Sequence, residues 1–133
     1  MTQAATEAPP ASPYELIGGA EAVRLVVERF YDLMESEPDF AELRALHAPD
    51  LSPMRASLAG FLTGWLGGPR DWFESNPGKC MMSAHRALPI GQTTAAQWVA
   101  AMNQALSDPA IEPEFAACLG ETFARMAAGM VRA

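Results

Sequence analysis

Trp65-Leu66-Gly67-Gly68-Pro69, then His85, then Leu88-Pro89-Ile90, then Trp98: the reading of this stretch decides the fold. Gly-Gly-Pro ends one helix, because glycine supplies the left-handed cap and proline cannot continue the ladder. Around His85 a helical turn must close before Pro89. Trp98 then lies within the next amphipathic helix. A helix end, a histidine and a tryptophan held in this order form a cradle for a ligand.

Outward from the cradle, the apolar positions follow a helical period. Val23, Val26, Val27, Phe30, Tyr31 and Met34 fall on one face of a helix expected over Ala20–Ser36, with Arg24, Glu28, Asp32 and Glu35 on the other. Pro38 opens a shorter helical piece, Asp39–Leu46, and Pro49 closes the corner that holds His47. Ser52-Pro53 reads as an N-cap followed by proline at the first helical position, ahead of a buried face of Met54, Leu58, Phe61, Leu62 and Trp65. Residues 69–81 read as an irregular loop pinned by Trp72 and Phe73. Beyond it, Thr93-Thr94 caps a helix carrying Ala95, Trp98, Val99, Met102 and Leu106, and Pro109 breaks the chain. The last helix starts near Glu112-Pro113 and holds Phe115, Leu119, Phe123, Met126 and Met130. Tyr14-Glu15-Leu16-Ile17 makes a short helix before a Gly18-Gly19 turn, and residues 1–13, rich in Ala, Thr and Pro, read as a mobile tail. No strand pattern competes, so the expectation is one all-α domain over residues 14–133.

Composition bounds the function. The chain has 133 residues, half of them apolar, enough for one core. Nine Lys and Arg stand against sixteen Asp and Glu, a net charge of −7, and no basic stripe exists to meet a phosphate backbone. Nucleic acid is therefore not an expected partner, and neither is a membrane, since no apolar run is long enough to span one. Cys80 and Cys118 read as free, buried, structural thiols, which with the absence of a secretory pattern points to the cytoplasm.

Three residue types could carry chemistry. His85 has apolar neighbours in Met81, Met82, Leu88 and Ile90 and is either an axial ligand to a hydrophobic cofactor or a hydrogen-bonded core residue. Tyr31 and Trp98 each join an apolar body to one polar hydrogen, as core aromatics or as donors to a ligand. His47 is either a loop histidine or part of the pocket. Two histidines and two cysteines without metal-ligand spacing give a zinc site no support, and no nucleophile signature appears.

Together, Gly18-Gly19, Phe30-Tyr31, His47-Ala48-Pro49-Asp50-Leu51, Phe61-Leu62-Thr63-Gly64-Trp65-Leu66-Gly67-Gly68-Pro69, His85 and Trp98 resemble the truncated haemoglobins, and within them group II. The resemblance covers nearly the whole chain after the tail. It implies a two-over-two helical sandwich around one haem b (iron protoporphyrin IX), with His85 as the proximal iron ligand. Tyr31, His47 and Trp98 would be the polar groups on the distal side, donating to a ligand that gains negative charge on binding. Met54 and Leu58 would lie on the distal helix, and Phe61, Leu62, Met82, Leu88 and Ile90 would wall the porphyrin. The chain departs from the family just before His85. Pro77-Gly78-Lys79 and Met82-Ser83-Ala84 stand where basic residues usually meet the propionates, leaving Lys79 or Arg86 as substitutes.

The function implied is binding of dioxygen and other diatomic ligands such as NO and CO. Redox chemistry on the ligand is expected beside it, as NO or peroxide detoxification by a dioxygenase or peroxidase-like haem activity with a reductase as partner. A haem-based sensor or partner-binding globin, and a helical interaction domain that has lost haem, are the rival readings. The chain would act as a monomer or homodimer.

Overall fold

A computed structural model describes residues 12–77, 85 and 88–131. Helices α1 (Pro13–Ile17) and α2 (Gly19–Ser36) are followed by a 3-10 turn (Pro38–Phe40) and α3 (Ala41–Ala45). Then come α4 (Ser52–Trp65), α5 (Asp71–Ser75), α6 (Gln92–Leu106) and α7 (Pro113–Met130), with no strand among the described residues. The main contacts pair α6 with α7, α2 with α6 and α2 with α4. The α2–α4 and α6–α7 pairs, joined through α2 and α6, form the two-over-two arrangement expected from the sequence.

The long helices form where the apolar period and the caps agree. The face of α2 buries Val23, Val26, Val27, Phe30, Tyr31 and Met34, all at 2 % exposure or less. It meets Ala101, Met102, Ala105 and Leu106 of α6 across the core, and Leu119 and Phe123 join from α7. The side chain of Glu112 accepts from the backbone N–H groups of Glu114 and Phe115, satisfying donors that the first turn of α7 leaves orphaned. In α6 the cap works in both directions, since the Thr94 hydroxyl accepts from Gly91 N–H at 3.0 Å and donates to Gly91 C=O at 3.1 Å. The helix accordingly starts at Gln92, ahead of the expected threonines.

Several expectations are corrected. Ser12 and Pro13, which composition assigns to the tail, open α1 as a capping box with Glu15. The α1 backbone is tied at Tyr14 N–H to Leu66 C=O, 2.9 Å away at the end of α4. Ser52 does not cap α4. It is the first residue of the helix, Leu51 stands at the cap position with no capping side chain, and Asp50 accepts from Ser52 N–H at 3.0 Å. Met54 is 38 % exposed rather than buried, because on that first turn Arg55 takes the place against α2 and Leu51 fills the core. The loop expected after Pro69 contains the helical turn α5, which lays Trp72 and Phe73 on α4. Gly64 allows that approach, since a Cβ there would stand 2.6 Å from the Phe73 ring. Cys118 is exposed on α7, not buried. Cys80 and the turn expected over Met81–Arg86, apart from His85, lie outside the described residues.

The core is nearly solid. A void of about 10 Å³ lies between α2, α4, α6 and α7, lined only by apolar side chains such as Val26, Leu62, Met102 and Phe123. Space for about one water without polar partners stays dry, so no ligand site lies there.

Candidate functional site

The site forms where α2, the corner after α3 and the N-terminal half of α6 converge, with His85 close by. Tyr31, on the core-facing stripe of α2, has its ring centroid 4.9 Å from that of Phe30, edge to face. Phe30 in turn meets Trp98 of α6 at 5.6 Å. On its other side Tyr31 meets the His47 ring at 6.0 Å with the planes at 80°. Three residues from separate elements are thus brought into one aromatic row. His85, half-buried, lies near enough to His47 for its charge to lower the His47 pKa.

The polar hydrogens in this row are the informative feature. Tyr31 is 2 % exposed, yet its hydroxyl makes no hydrogen bond among the described residues, and neither does the Trp98 indole N–H. Of the buried side-chain nitrogens and oxygens among the described residues, only Arg29 Nε lacks both a partner and access to open space. The Tyr31 hydroxyl and Trp98 N–H therefore meet open space as unpaired donors. Burial pushes the Tyr31 phenol up to about 12, against the opposing charge of Arg55, so at neutral pH it keeps its hydrogen.

Sequence reasoning did not find Arg55. Its guanidinium sits 5.7 Å from the centroid of the Tyr31 ring. It bonds Glu28, and it bonds Asp32 at 3.0 Å and Glu35 at 2.9 Å. These three carboxylates flank Tyr31 on α2 at helical spacing, so one cation from α4 clamps the helix that carries the tyrosine. The signal in the sequence was that acidic stripe, which reads as a solvated face until a cation is found for it.

The His47 corner is held from both sides. Gln97, beside Trp98, accepts from Leu43 N–H at 3.0 Å and donates to Glu42 at 2.8 Å. Arg44 donates to the carbonyls of Ala48 and Pro49 at 3.0 and 2.9 Å. His47 Nδ1 bonds Leu43 C=O at 2.9 Å. Burial, then Arg44 and His85, hold the His47 pKa below the ordinary histidine value against the pull of that carbonyl.

Among the expected wall residues, Phe61 is buried in an aromatic cluster with Trp72 at 5.7 Å and Phe73 at 5.5 Å. Leu62 faces the apolar interior. Leu58, Leu88 and Ile90 are half-buried, and Met54 is exposed. Met82, Lys79 and Arg86 lie outside the described residues. No group of three or more metal-binding side chains occurs among the described residues, and no described helix is long and apolar enough to cross a membrane.

Comparison with known proteins agrees with this architecture. The family model described as bacterial-like globin matches residues 12–132. A group 2 truncated hemoglobin of Bacillus subtilis is 30 % identical over 103 residues, covering 77 % of this chain and 75 % of its own. The group II 2-on-2 hemoglobin of Agrobacterium tumefaciens superposes with a TM-score of 0.89 at 30 % identity, over 96 % of this chain and 98 % of that one. The cold-adapted truncated hemoglobin of Pseudoalteromonas haloplanktis gives 0.88 at 28 % identity, over 92 % and 99 %.

Proposed function

Since this chain belongs to the bacterial-like globins, as a truncated haemoglobin of group II, we propose that it holds haem b and binds dioxygen and other diatomic ligands such as NO and CO. The observation that carries this reading is Tyr31, whose ring is buried while its hydroxyl finds no acceptor among the described residues. A donor that faces open space at the edge of a buried aromatic ring is placed to meet an acceptor that a ligand supplies. The residues present fit the group. His85 offers one imidazole for the proximal side, and Tyr31 and Trp98 offer two hydrogens for the distal side.

Haem, held by His85, would supply an iron able to bind diatomic ligands. The chain's own part is to bind and orient. Leu58, Leu88 and Ile90, all half-buried, would provide the apolar wall. Tyr31 and Trp98 donate to the ligand atom that gains negative charge, and a charge-assisted bond of this kind is roughly twice as strong as a neutral one. Two such donors retain the ligand, which favours chemistry on it over rapid delivery. Detoxification of NO or peroxide, with a reductase as electron source, is the activity we favour, in the cytoplasm.

Adding haemin to the purified chain, beside His85→Ala, tests this reading. Uptake of one haem per chain with a sharp Soret band, lost or shifted in the variant, is the expected result. No stoichiometric uptake would leave a helical fold without its cofactor and overturn the reading.

A further inference from the structure

His47 Nδ1 lies 2.9 Å from the Leu43 carbonyl oxygen. A carbonyl oxygen can only accept, so the hydrogen in this bond belongs to Nδ1. A neutral imidazole has one N–H, and with it on Nδ1 the other nitrogen, Nε2, carries a lone pair and no hydrogen. The ring is not free to exchange the two. Leu43 is fixed from its other side by Gln97, and Arg44 fixes the carbonyls that follow the histidine. Nε2 itself bonds nothing among the described residues. Only an imidazolium could donate from both nitrogens, and burial and Arg44 both oppose that charge.

We infer that His47 serves the site through Nε2 as a hydrogen-bond acceptor, not as the donor that the family resemblance implies. Tyr31 and Trp98 give hydrogens and His47 takes one. A pocket of this mixed polarity favours ligands that carry a hydrogen of their own, such as hydrogen sulfide, hydrogen peroxide or water. Dioxygen, carbon monoxide and nitric oxide have none to offer to Nε2. The inference rests on the haem reading above for the place of the ligand, and on the Leu43 bond alone for the state of the ring.

Two measurements on the full chain separate these. The chain has two histidines, so long-range proton–nitrogen correlation spectra of the 15N-histidine-labelled protein, loaded with haemin and reduced under carbon monoxide, are assigned by one variant, His47→Gln. The expected spectrum at neutral pH has a protonated Nδ1 and a bare Nε2 on His47. A hydrogen on Nε2 overturns the inference. Equilibrium titration of the ferric loaded protein then compares sodium sulfide, whose species carry hydrogen, with fluoride, which only accepts. His47→Leu is expected to weaken sulfide binding about five- to tenfold and to change fluoride less than twofold, the scale of one net hydrogen bond. His47→Gln, whose amide can still accept, is expected to stay within about threefold of the parent for sulfide. Fluoride weakened as much as sulfide would make His47 a donor and overturn the inference. Failure of haemin to bind at all would instead sink the haem reading, and the ligand preference with it.

Discussion

Tyr31 and Trp98 illustrate how much a single polar hydrogen decides. Each is mostly hydrocarbon, and each packs edge to face on Phe30. The period of their helices places them on buried faces, so their location was legible in the sequence. Their lack of a partner was not, because that depends on what three other elements bring alongside. Replacing either with phenylalanine keeps the packing and removes the donor. We expect oxygen dissociation from the haemin-reconstituted, reduced protein to accelerate about tenfold or more in each variant, as loss of a bond to a charged acceptor is worth about 1.5–3 kcal/mol. Stopped-flow ligand replacement measures it. Unchanged rates in both variants would remove the two donors from the ligand's surroundings.

Among the elements, α2, α6 and α7 were readable because apolar period, caps and proline all agree on them. The five-residue α5 was not, since so short a helix has no stability of its own and exists because Trp72 and Phe73 find space on α4. The same limit hid the clamp between α4 and α2. Arg55 looked like an ordinary polar residue, and Met54 beside it took its place in the expected core. Pairing one guanidinium with Glu28, Asp32 and Glu35 is a network, which is worth more than an isolated surface pair although water screens it. Arg55→Ala is expected to lower stability by about 1–2 kcal/mol. Urea titration should show this, with the difference shrinking as salt is raised. Equal stability at all salt concentrations would mean that the clamp is ornamental to the helix pair.

At the scale of the molecule, pH acts on stability from both ends. Hydrogen bonding holds the carboxyls of Glu21, Glu42, Asp50 and Asp108 below their ordinary values, through Arg24, Gln97, Ser52 and the Ala110 backbone respectively. The unfolded chain therefore takes up protons first on acidification. Their contribution is complete above the ordinary carboxylate range and is lost as pH falls through about 4 and below. Tyr31 works in the opposite sense. With its pKa raised from 10.0 to about 12, the folded chain keeps a proton that the unfolded chain releases, so stability declines as pH rises between those values. Thermal melts should fall in temperature on both sides of neutrality, and Tyr31→Phe should remove the alkaline decline alone. An alkaline decline that persists in the variant would place its origin elsewhere.

The bond from Tyr14 N–H to Leu66 C=O joins the first described helix to the last turn of α4, with α2 and α3 lying between them in the chain. A helix as short as α1 does not persist alone in water, and its anchor does not exist until α4 has formed. The order of synthesis and the order of assembly are therefore reversed at this end of the molecule. The earlier-made segment is among the last to settle, and it waits for a stretch of chain translated some fifty codons later.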